Sequence, residues 1–360
     1  MKKKAKKIIY VIVVIVLILI VGFFLMLHSR QKKAQDEVLA ESKVSQASTN
    51  EIEWNGKKYT YNDQLINILF LGIDKAEDID SSYMPGDAGQ ADCIMLLSLN
   101  KETKEARILQ INRNTMTKVD VYSSDGESYG AIDAQLATQY AYCIGGSRSC
   151  WATEKTVKNL LYNLPINGYL ALSVDGIAEI NDAIGGVTVT MTDADAQIDP
   201  EFQSGQAICL KGEKAETYVR YRDTEQFDSN SDRMRRQVSY ITAMIRQMRS
   251  RGGSAMYDIL SPFLDRYIVT DLDSDQIDAL SSYNYLTDEV QYLPGESVMG
   301  EKYEEFHVDE DQLQEQLIET YYKPVDKSIY ENGNIEKKYL KVNLFCEQCQ
   351  SIKIVDVHIF

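Results

Sequence analysis

The chain has 360 residues, a formal net charge of −16 and six cysteines. Eight of its 38 Lys and Arg lie at or before Lys33, so the remainder holds thirty of them against all 54 Asp and Glu, a charge of −24. An acidic body of this kind repels nucleic acid and anionic lipid surfaces, which excludes a nucleic-acid-binding protein.

The first predicted element is a membrane span. Ile8 to Leu27 is a run of twenty residues without a charge, which is long enough to cross a bilayer. Five lysines precede the run and three cations follow it, so the positive-inside rule places the short N-terminus in the cytoplasm and the main body outside the cell. A cleaved signal peptide is the alternative, but the run is long for one and no small-residue cleavage site follows.

The composition after the span predicts the domain organisation. Residues 34–53 are rich in Ser, Gln, Glu and Lys, as in a solvated stalk. The predicted parts are a cytoplasmic arm (1–7), a transmembrane helix (8–27), a polar stalk (28–53), an extracellular catalytic domain (54–325) and a C-terminal extension of unassigned role (326–360).

Three strands are predicted at the start of the extracellular domain. Leu65 to Ile73 is a continuous apolar run that ends at Asp74, as a strand buried on both faces would. Cys93 to Leu99 and Ala106 to Ile111 are joined by a polar connector of hairpin length. Folding this hairpin about its connector places Asp92 opposite Arg113 or Asn114.

Further elements interleave helix and strand. Helical spacing predicts helices over Ala131 to Tyr142, Thr153 to Leu164 and Val174 to Ile184, and alternation predicts a strand over Val187 to Met191. The pattern predicts an α/β fold (a mixed α+β sandwich), with a central, mostly parallel sheet that includes an antiparallel hairpin and is flanked by helices. In such folds ligands bind at a sheet edge, where Asp74, Asp92 and Arg113 would gather.

An arginine-rich segment follows the predicted sheet strands. If Thr217 to Arg222 is extended, Arg220 and Arg222 share one face, and the helical spacing after Arg233 places Arg233 and Gln237 one turn apart. Guanidinium groups suit phosphate or carboxylate, and the start of a helix adds positive potential. The alternative is an arginine-rich surface helix with partners four residues away.

The remaining chemistry has to come from carboxylates. The three histidines lie in unrelated contexts, and the sequence has neither a Gly-rich phosphate loop nor a Gly-x-Ser-x-Gly motif. Asp74 and Asp92 are either ordinary turn residues at strand ends or, together with an anionic ligand, a site for magnesium or for manganese in its place.

The cysteines leave two alternatives open. Cys143 and Cys150 flank six residues and predict either a small disulfide-closed loop or free thiols, and Cys346 and Cys349 form a Cys-x-x-Cys with the same alternatives. Cys93 and Cys209 lie in apolar runs and are predicted to be core residues.

Several blocks of sequence resemble the LytR-CpsA-Psr family, in the same order along the chain. They extend from about Leu65 to Met248. They are Asn67-Ile-Leu-Phe-Leu-Gly-Ile-Asp74, Ala91 to Asn100, Ile108 to Thr115, Leu160 to Gly168, Ala183 to Val187, Leu210 to Glu213, Val219-Arg-Tyr-Arg222 and Arg233 to Gln237.

This resemblance implies a membrane-anchored phosphotransferase of the Gram-positive envelope. Such an enzyme moves a glycopolymer, of the teichoic acid or capsular polysaccharide type, from a polyprenyl pyrophosphate carrier to peptidoglycan. By position, Asp74 and Asp92 resemble the family's magnesium ligands, and with Arg113 they are the catalytic candidates. The implied pyrophosphate-binding residues are Arg113, Arg220, Arg222, Arg233 and Gln237.

The resemblance also implies an apolar tunnel for the lipid, between sheet and helices. The candidates for its lining are the inward faces of Val157 to Leu164 and Val238 to Met248, although the same spacing is typical of ordinary core.

Three positions depart from the family pattern. Gln90 stands where the family usually has Arg, and Asn114 and Asn230 stand where it usually has Asp. These changes imply reduced or altered activity. The alternatives are a polyprenyl-pyrophosphate-binding protein without turnover, a pyrophosphatase with water as acceptor, and a membrane-anchored regulator, although the chain lacks a basic DNA-binding element.

Overall fold

The computed structural model describes residues 51–75, 78–223, 226–250 and 256–325. The predicted cytoplasmic arm, the span, most of the stalk and the C-terminal extension lie outside these ranges, as do Cys346 and Cys349. Among the described residues, no helix combines the length and the apolar character that crossing a bilayer requires.

Strands and helices alternate along the described chain. The strands are β1 Glu51–Trp54, β2 Lys57–Tyr61, β3 Leu65–Ile73, β4 Ala91–Asn100, β5 Glu105–Ile111, β6 Met116–Tyr122, β7 Ser128–Gln135, β8 Gly168–Ser173, β9 Val187–Thr190, β10 Ala207–Leu210, β11 Ile268–Thr270, β12 Asn284–Tyr285, β13 Gln291–Tyr292, β14 Gly295–Met299, β15 Glu304–Val308 and β16 Tyr322–Pro324. The α-helices are α1 Thr138–Ala141, α2 Gly146–Leu160, α3 Gly176–Ala183, α4 Glu213–Arg220, α5 Ser229–Arg249, α6 Met256–Leu260, α7 Ser274–Leu280 and α8 Glu310–Tyr321.

The chain divides into two compact units. The smaller unit contains β1 and β2, which pair as an antiparallel hairpin with Ile52 opposite Tyr59. The larger unit, Asn62–Lys323, contains the elements from β3 to α8 and all the candidate site residues.

The main sheet of the larger unit is mixed, and the prediction of a mostly parallel sheet is wrong. The strand order is β11-β8-β3-β4-β5, with β12 and β13 both paired to β5. Pairing is parallel between β3 and β8 and between β5 and its two short neighbours, and antiparallel elsewhere. The hairpin of β4 and β5 explains the mixed sheet. Two strands joined by a short connector run antiparallel, so the hairpin makes antiparallel neighbours at the centre of the sheet.

The hairpin itself has the predicted register. Leu96 lies opposite Leu109 and Ile94 lies opposite Ile111, so the ladder ends with Asp92 and Arg113 at the same sheet edge. The ladder between β3 and β4 shifts by one residue beside Gly72. A Cβ at Gly72 would lie 2.8 Å from the Cβ of Cys93, which explains why only glycine lets these strands approach so closely.

Two predicted elements are different in the structure. The helix expected over Ala131 to Tyr142 is instead β7, paired with β6, followed by the short α1. The strand expected over Thr217 to Arg222 is instead the last turn of α4, which ends at Arg220, followed by two residues outside any helix or strand. Burial of Ala215, Tyr218 and Val219 follows helical spacing, so the apolar contacts favour a helix there.

The helix α5 packs along one face of the sheet. Its residues Val238, Ile241, Ile245 and Met248 are buried at helical spacing in the same apolar cluster as Phe70 and Met95 of the sheet. Cys143 and Cys150 are buried free thiols, Cys93 is buried as predicted, and Cys209 is exposed, contrary to the prediction, because β9 and β10 form only a two-stranded sheet.

Candidate active site

Two arginines from distant segments hold one carboxylate. Asp92 is the second residue of β4, Arg113 follows β5, and Arg233 lies in the second turn of α5. The Arg113 Nε lies 2.8 Å from Asp92 Oδ1, and the Arg233 Nη1 lies 2.8 Å from Asp92 Oδ2. Both oxygens of Asp92 are therefore engaged, and the two guanidinium groups are fixed beside each other.

Arg222 brings a third guanidinium group to this place. Its Nε donates to the Ser229 hydroxyl at 3.0 Å, and its Nη2 lies 3.4 Å from Glu304 Oε2. Burial lowers the pKa of Arg233, the Asp92 charge opposes this, and the positive charges of Arg113 and Arg222 lower it further. Three guanidinium groups of an acidic protein thus converge at one place.

Asp74 sits beside these guanidinium groups, at the end of β3. Its backbone N–H donates to the Gln90 carbonyl at 3.0 Å, and the Gln90 N–H donates to Asp74 Oδ1 at 2.5 Å. Burial raises the pKa of Asp74, with a further rise from the nearby charge of Asp92, while the Gln90 hydrogen bond and Arg113 oppose it. The antiparallel pairing of β3 with β4 places these two carboxylates at the same edge.

The Gln90 side chain orients Arg113. Its Oε1 accepts a hydrogen bond from Arg113 Nη2, while Arg113 Nε faces Asp92. The residue that replaces the family's usual arginine here is therefore an acceptor for a neighbouring arginine rather than an additional cation.

Asn230 is a second amide that fixes a guanidinium group. Its Oδ1 accepts from Arg233 Nη2 at 2.7 Å, and its Nδ2 donates to Asn112 Oδ1 at 2.9 Å. A carboxylate in place of Asn230 could accept from Arg233 but could not donate to Asn112.

The other two predicted residues differ in their surroundings. Arg220 is the last residue of α4 and pairs with Glu216 at 2.6 Å on an exposed helix face, so the structure does not bring it to the cluster. Gln237 lies one turn after Arg233 and is buried, and its Oε1 accepts no hydrogen bond among the described residues. A buried amide oxygen without a partner costs about 1–3 kcal/mol, which a ligand could offset.

Glu304 is a site residue that the sequence did not predict. This residue opens β15, its side chain is only 6% exposed, and its carboxylate accepts from Asn114 Nδ2 at 3.3 Å and faces Arg222. Glu304 lies 82 positions after Arg222, in a stretch with several other acidic residues, so no local signal distinguishes it.

An apolar cavity lies between the sheet and the helices of the larger unit. It is small, with a volume of about 30 Å³, and is lined by side chains of β3, β4, β8 and α5, among others. Its lining includes Ile241, Met244 and Ile245 of α5, which belong to the predicted face of Val238 to Met248. None of its lining residues comes from Val157 to Leu164, the other stretch predicted to line a tunnel.

The charges of the site are suited to a divalent cation together with an anionic ligand. Three carboxylates (Asp74, Asp92 and Glu304) balance the three arginines that approach them, so an added diphosphate would leave negative charge uncompensated. Asp74 and Asp92 supply the hard oxygen atoms that Mg²⁺ or Mn²⁺ prefers. Within the described ranges no cluster of three or more His, Cys, Asp or Glu is arranged for a metal, so a cation here would share its ligands with the anion.

The profile of the LytR_cpsA_psr family matches residues 21–321. The chain belongs to this family. Among the relatives of this LytR_cpsA_psr protein is the polyisoprenyl-teichoic acid–peptidoglycan teichoic acid transferase TagU of Halalkalibacterium halodurans, 28% identical over 221 residues, which are 61% of this chain and 64% of TagU. The TagU of Oceanobacillus iheyensis is 29% identical over 60% of this chain and 61% of its own length. The chain thus matches less than two thirds of the length of these relatives.

Solved structures share the fold of this LytR_cpsA_psr protein. TagV of B. subtilis has a TM-score of 0.55 at 22% identity, over 72% of this chain and 97% of TagV. TagT bound to LIIa-WTA has a TM-score of 0.53 at 22% identity, over 71% of this chain and 89% of TagT.

Proposed function

We propose that this protein is a phosphotransferase that moves a glycopolymer, of the teichoic acid or capsular polysaccharide type, from a polyprenyl pyrophosphate carrier to peptidoglycan. It would act outside the cell from a single-pass membrane anchor formed by residues 8–27, with the N-terminus in the cytoplasm. The observation that carries the proposal is the convergence of Arg113, Arg222 and Arg233 around Asp92 in a member of a family whose relatives include teichoic acid transferases.

The ligand class follows from the chemistry of the site. Planar guanidinium groups bind the oxygens of a diphosphate in a bidentate manner. A prenyl chain would enter at the apolar cavity beside α5 and would have to widen it, since Ile241 and Ile245 lie two and three turns beyond Arg233 on the same helix. One helix would thus carry both the headgroup contact and part of the tail contact.

The proposed reaction exchanges the phosphoanhydride bond of the carrier for a phosphate ester bond to peptidoglycan. A hydroxyl of peptidoglycan forms a bond to the phosphorus that carries the glycopolymer, and the bridging bond to the lipid phosphate breaks with its electron pair. The arginines stabilise the charge that develops on the leaving lipid phosphate, and they hold the diphosphate in line for attack. The hydroxyl proton leaves with the released phosphate or with solvent.

Asp74 and Asp92 would hold Mg²⁺ or Mn²⁺ against the diphosphate. When bound, the cation supplies additional positive charge for the same leaving group. Asp92 would also have a structural role. Its contacts keep Arg113 and Arg233 in position whether or not a ligand is bound.

The test is transfer in a membrane that contains the full chain. Full-length protein in vesicles would receive lipid-linked teichoic acid and peptidoglycan, and the covalent product would be measured by mass spectrometry after digestion of the wall. Arg233→Ala is expected to lower transfer about 100-fold, since one preorganised donor contributes this much in comparable sites. The matched control is Arg235→Ala on the same helix, whose guanidinium pairs with Asp195 away from the cluster. Equal transfer by wild type and Arg233→Ala would contradict the proposal.

A second candidate function is supported by Gln90, Asn114 and Asn230. A protein that holds a polyprenyl pyrophosphate without turnover would need Arg113, Arg222 and Arg233, but not the Asp that the family usually has at positions 114 and 230 or its additional Arg at position 90. Lipid that co-purifies with the wild-type chain, without any product in the transfer assay, would select this alternative. Phosphate release without polymer transfer would instead select a pyrophosphatase.

A further inference from the structure

We propose that Glu304 is a positioning residue of the diphosphate site, and that its carboxylate is the reason why position 114 holds an amide. Glu304 would hold Arg222 in place on one side and Asn114 on the other. Its effect on transfer rests on the proposed function, whereas its effects on ligand affinity and on unfolding do not.

The first observation is the burial of Glu304. A carboxylate that is almost fully removed from water needs charged or hydrogen-bonding partners, because desolvation of an unpaired charge is costly. Among the described residues these partners are Arg222, 3.4 Å from Oε2, and the Asn114 amide, 3.3 Å from Oε1. Arg222 itself is anchored on its other side, where Nε donates to Ser229.

The second observation is that the backbone of Glu304 is held independently of its charge. Its carbonyl accepts from Gln135 Nε2 at 2.7 Å, and the Phe306 N–H donates to the Asn114 carbonyl at 2.9 Å. The hairpin of β14 and β15 therefore stays on the segment that carries Arg113 even when the side chain is changed. A substitution of Glu304 should alter the orientation of Arg222 more than it alters the fold.

The third observation is the set of hydrogen bonds at Asn114. Its Nδ2 donates to Glu304, while its Oδ1 accepts from Gln135 Nε2 at 3.3 Å and from Arg113 Nη1 at 3.4 Å. An aspartate could not donate, and its negative charge would face the Glu304 carboxylate at the same short distance. Asn114 and Glu304 are thus matched, and they link Arg222 to Arg113 through one chain of contacts.

The experiment is a set of exchanges between these two positions. Binding of farnesyl pyrophosphate to the full chain in detergent would be measured by calorimetry for wild type, Glu304→Gln, Asn114→Asp and the double variant. We expect Glu304→Gln and Asn114→Asp each to weaken binding about tenfold, a typical coupling between charged neighbours. The double variant should recover most of this loss, because the single carboxylate has moved from position 304 to position 114.

Two controls separate positioning from a general structural role. Glu305→Gln changes the neighbouring carboxylate, which pairs with His307, and should leave affinity unchanged. In an Arg222→Gln background, Glu304→Gln should have little further effect if Glu304 acts through Arg222. Wild-type affinity in Glu304→Gln, or additive losses in the double variant, would overturn the proposal.

Failure of the proposed function gives a different result. If the wild-type chain binds farnesyl pyrophosphate but transfers no polymer, the affinity cycle still decides the role of Glu304. If the wild-type chain does not bind the probe, the same four variants are compared by chemical unfolding. Non-additive unfolding free energies that favour the double variant would support the coupling, and additive ones would overturn it.

Discussion

Arg233 and Asp92 are 141 positions apart in the sequence, yet the guanidinium Nη1 and the carboxylate Oδ2 lie 2.8 Å apart. The Arg233 side chain is only 7% exposed, so this pair connects the interior of α5 to the edge of the sheet. The contact is therefore part of the fold as well as part of the candidate site.

Replacement of Asp92 should destabilise the protein. Asp92→Asn removes the carboxylate that faces Arg113 and Arg233, and it leaves two neighbouring positive charges with less compensation. Breaking a largely buried pair costs about 3 kcal/mol of unfolding free energy. Urea denaturation would measure the loss. The control is Asp133→Asn, whose exposed pair with Lys118 should contribute less than about 1 kcal/mol. Similar losses of unfolding free energy in the two variants would show that the Asp92 ion pairs contribute no more to stability than an exposed ion pair does.

Arg222 and Arg220 should differ in their effect on ligand binding. Arg222→Ala removes a guanidinium group from the cluster and is expected to weaken farnesyl pyrophosphate binding about 30-fold, as for a buried charge-assisted contact. Arg220→Ala removes only an exposed partner of Glu216 and should change the affinity less than about twofold. Calorimetry on both variants is the measurement. A comparable loss in Arg220→Ala would mean that the end of α4 rearranges around the ligand.

Asp74 should make stability depend on pH in a specific direction. Its pKa in the folded state is raised above the ordinary value of 3.8, chiefly by burial, so the folded state binds the proton more tightly than the unfolded state does. The contribution of Asp74 to stability is therefore present below pH 3.8 and is lost as the pH rises through the raised pKa. Asp74→Asn should raise the unfolding temperature at pH 7, and the difference from wild type should vanish as the pH falls below 3.8. A lower unfolding temperature for Asp74→Asn at pH 7 would contradict this.

The same variant tests the cation. Mg²⁺ added together with inorganic pyrophosphate should raise the unfolding temperature of the wild type more than pyrophosphate alone does, because a ligand that binds only the folded state stabilises it. Asp74→Asn should lose this additional rise, and EDTA should abolish it in the wild type. If Mg²⁺ raised the unfolding temperature of both proteins equally, Asp74 would not be a ligand of the cation.

The apolar cavity should matter for the lipid tail only. Ile241→Trp places a larger side chain in the cavity and is expected to weaken binding of farnesyl pyrophosphate about tenfold while leaving inorganic pyrophosphate unaffected. Met299→Trp, at an exposed position on β14, is the control for an added indole ring. Equal losses for both ligands would indicate a distorted ionic site instead of a filled tail cavity.

The parts of the fold that local sequence determines were predictable. The strand β3 was predicted with its observed bounds because a strand buried on both faces has a continuous apolar sequence. The hairpin of β4 and β5 has the predicted register because a short connector leaves few alternatives. The placement of Asp92 next to Arg113 follows from that register.

The parts that depend on distant contacts were not predictable. Arg222 alternates with Arg220 in a pattern that also fits a strand, and only the burial of Tyr218 and Val219 against the core makes the residues up to Arg220 a helix. Glu304 reaches Arg222 and Asn114 through the pairing of Thr115 with Phe306, for which no local pattern exists. The direction in which the short edge strands pair, parallel or antiparallel, could not be predicted either. Strands of two or three residues contain too few side chains to show a pattern.

The double use of the Asp92 carboxylate has a kinetic consequence. Because Arg113, which follows β5, and Arg233 of α5 both pair with this carboxylate before any substrate binds, the two guanidinium groups need little rearrangement when a diphosphate enters. Ligand association should then lose little side-chain entropy, and encounter rather than reorganisation should limit its rate.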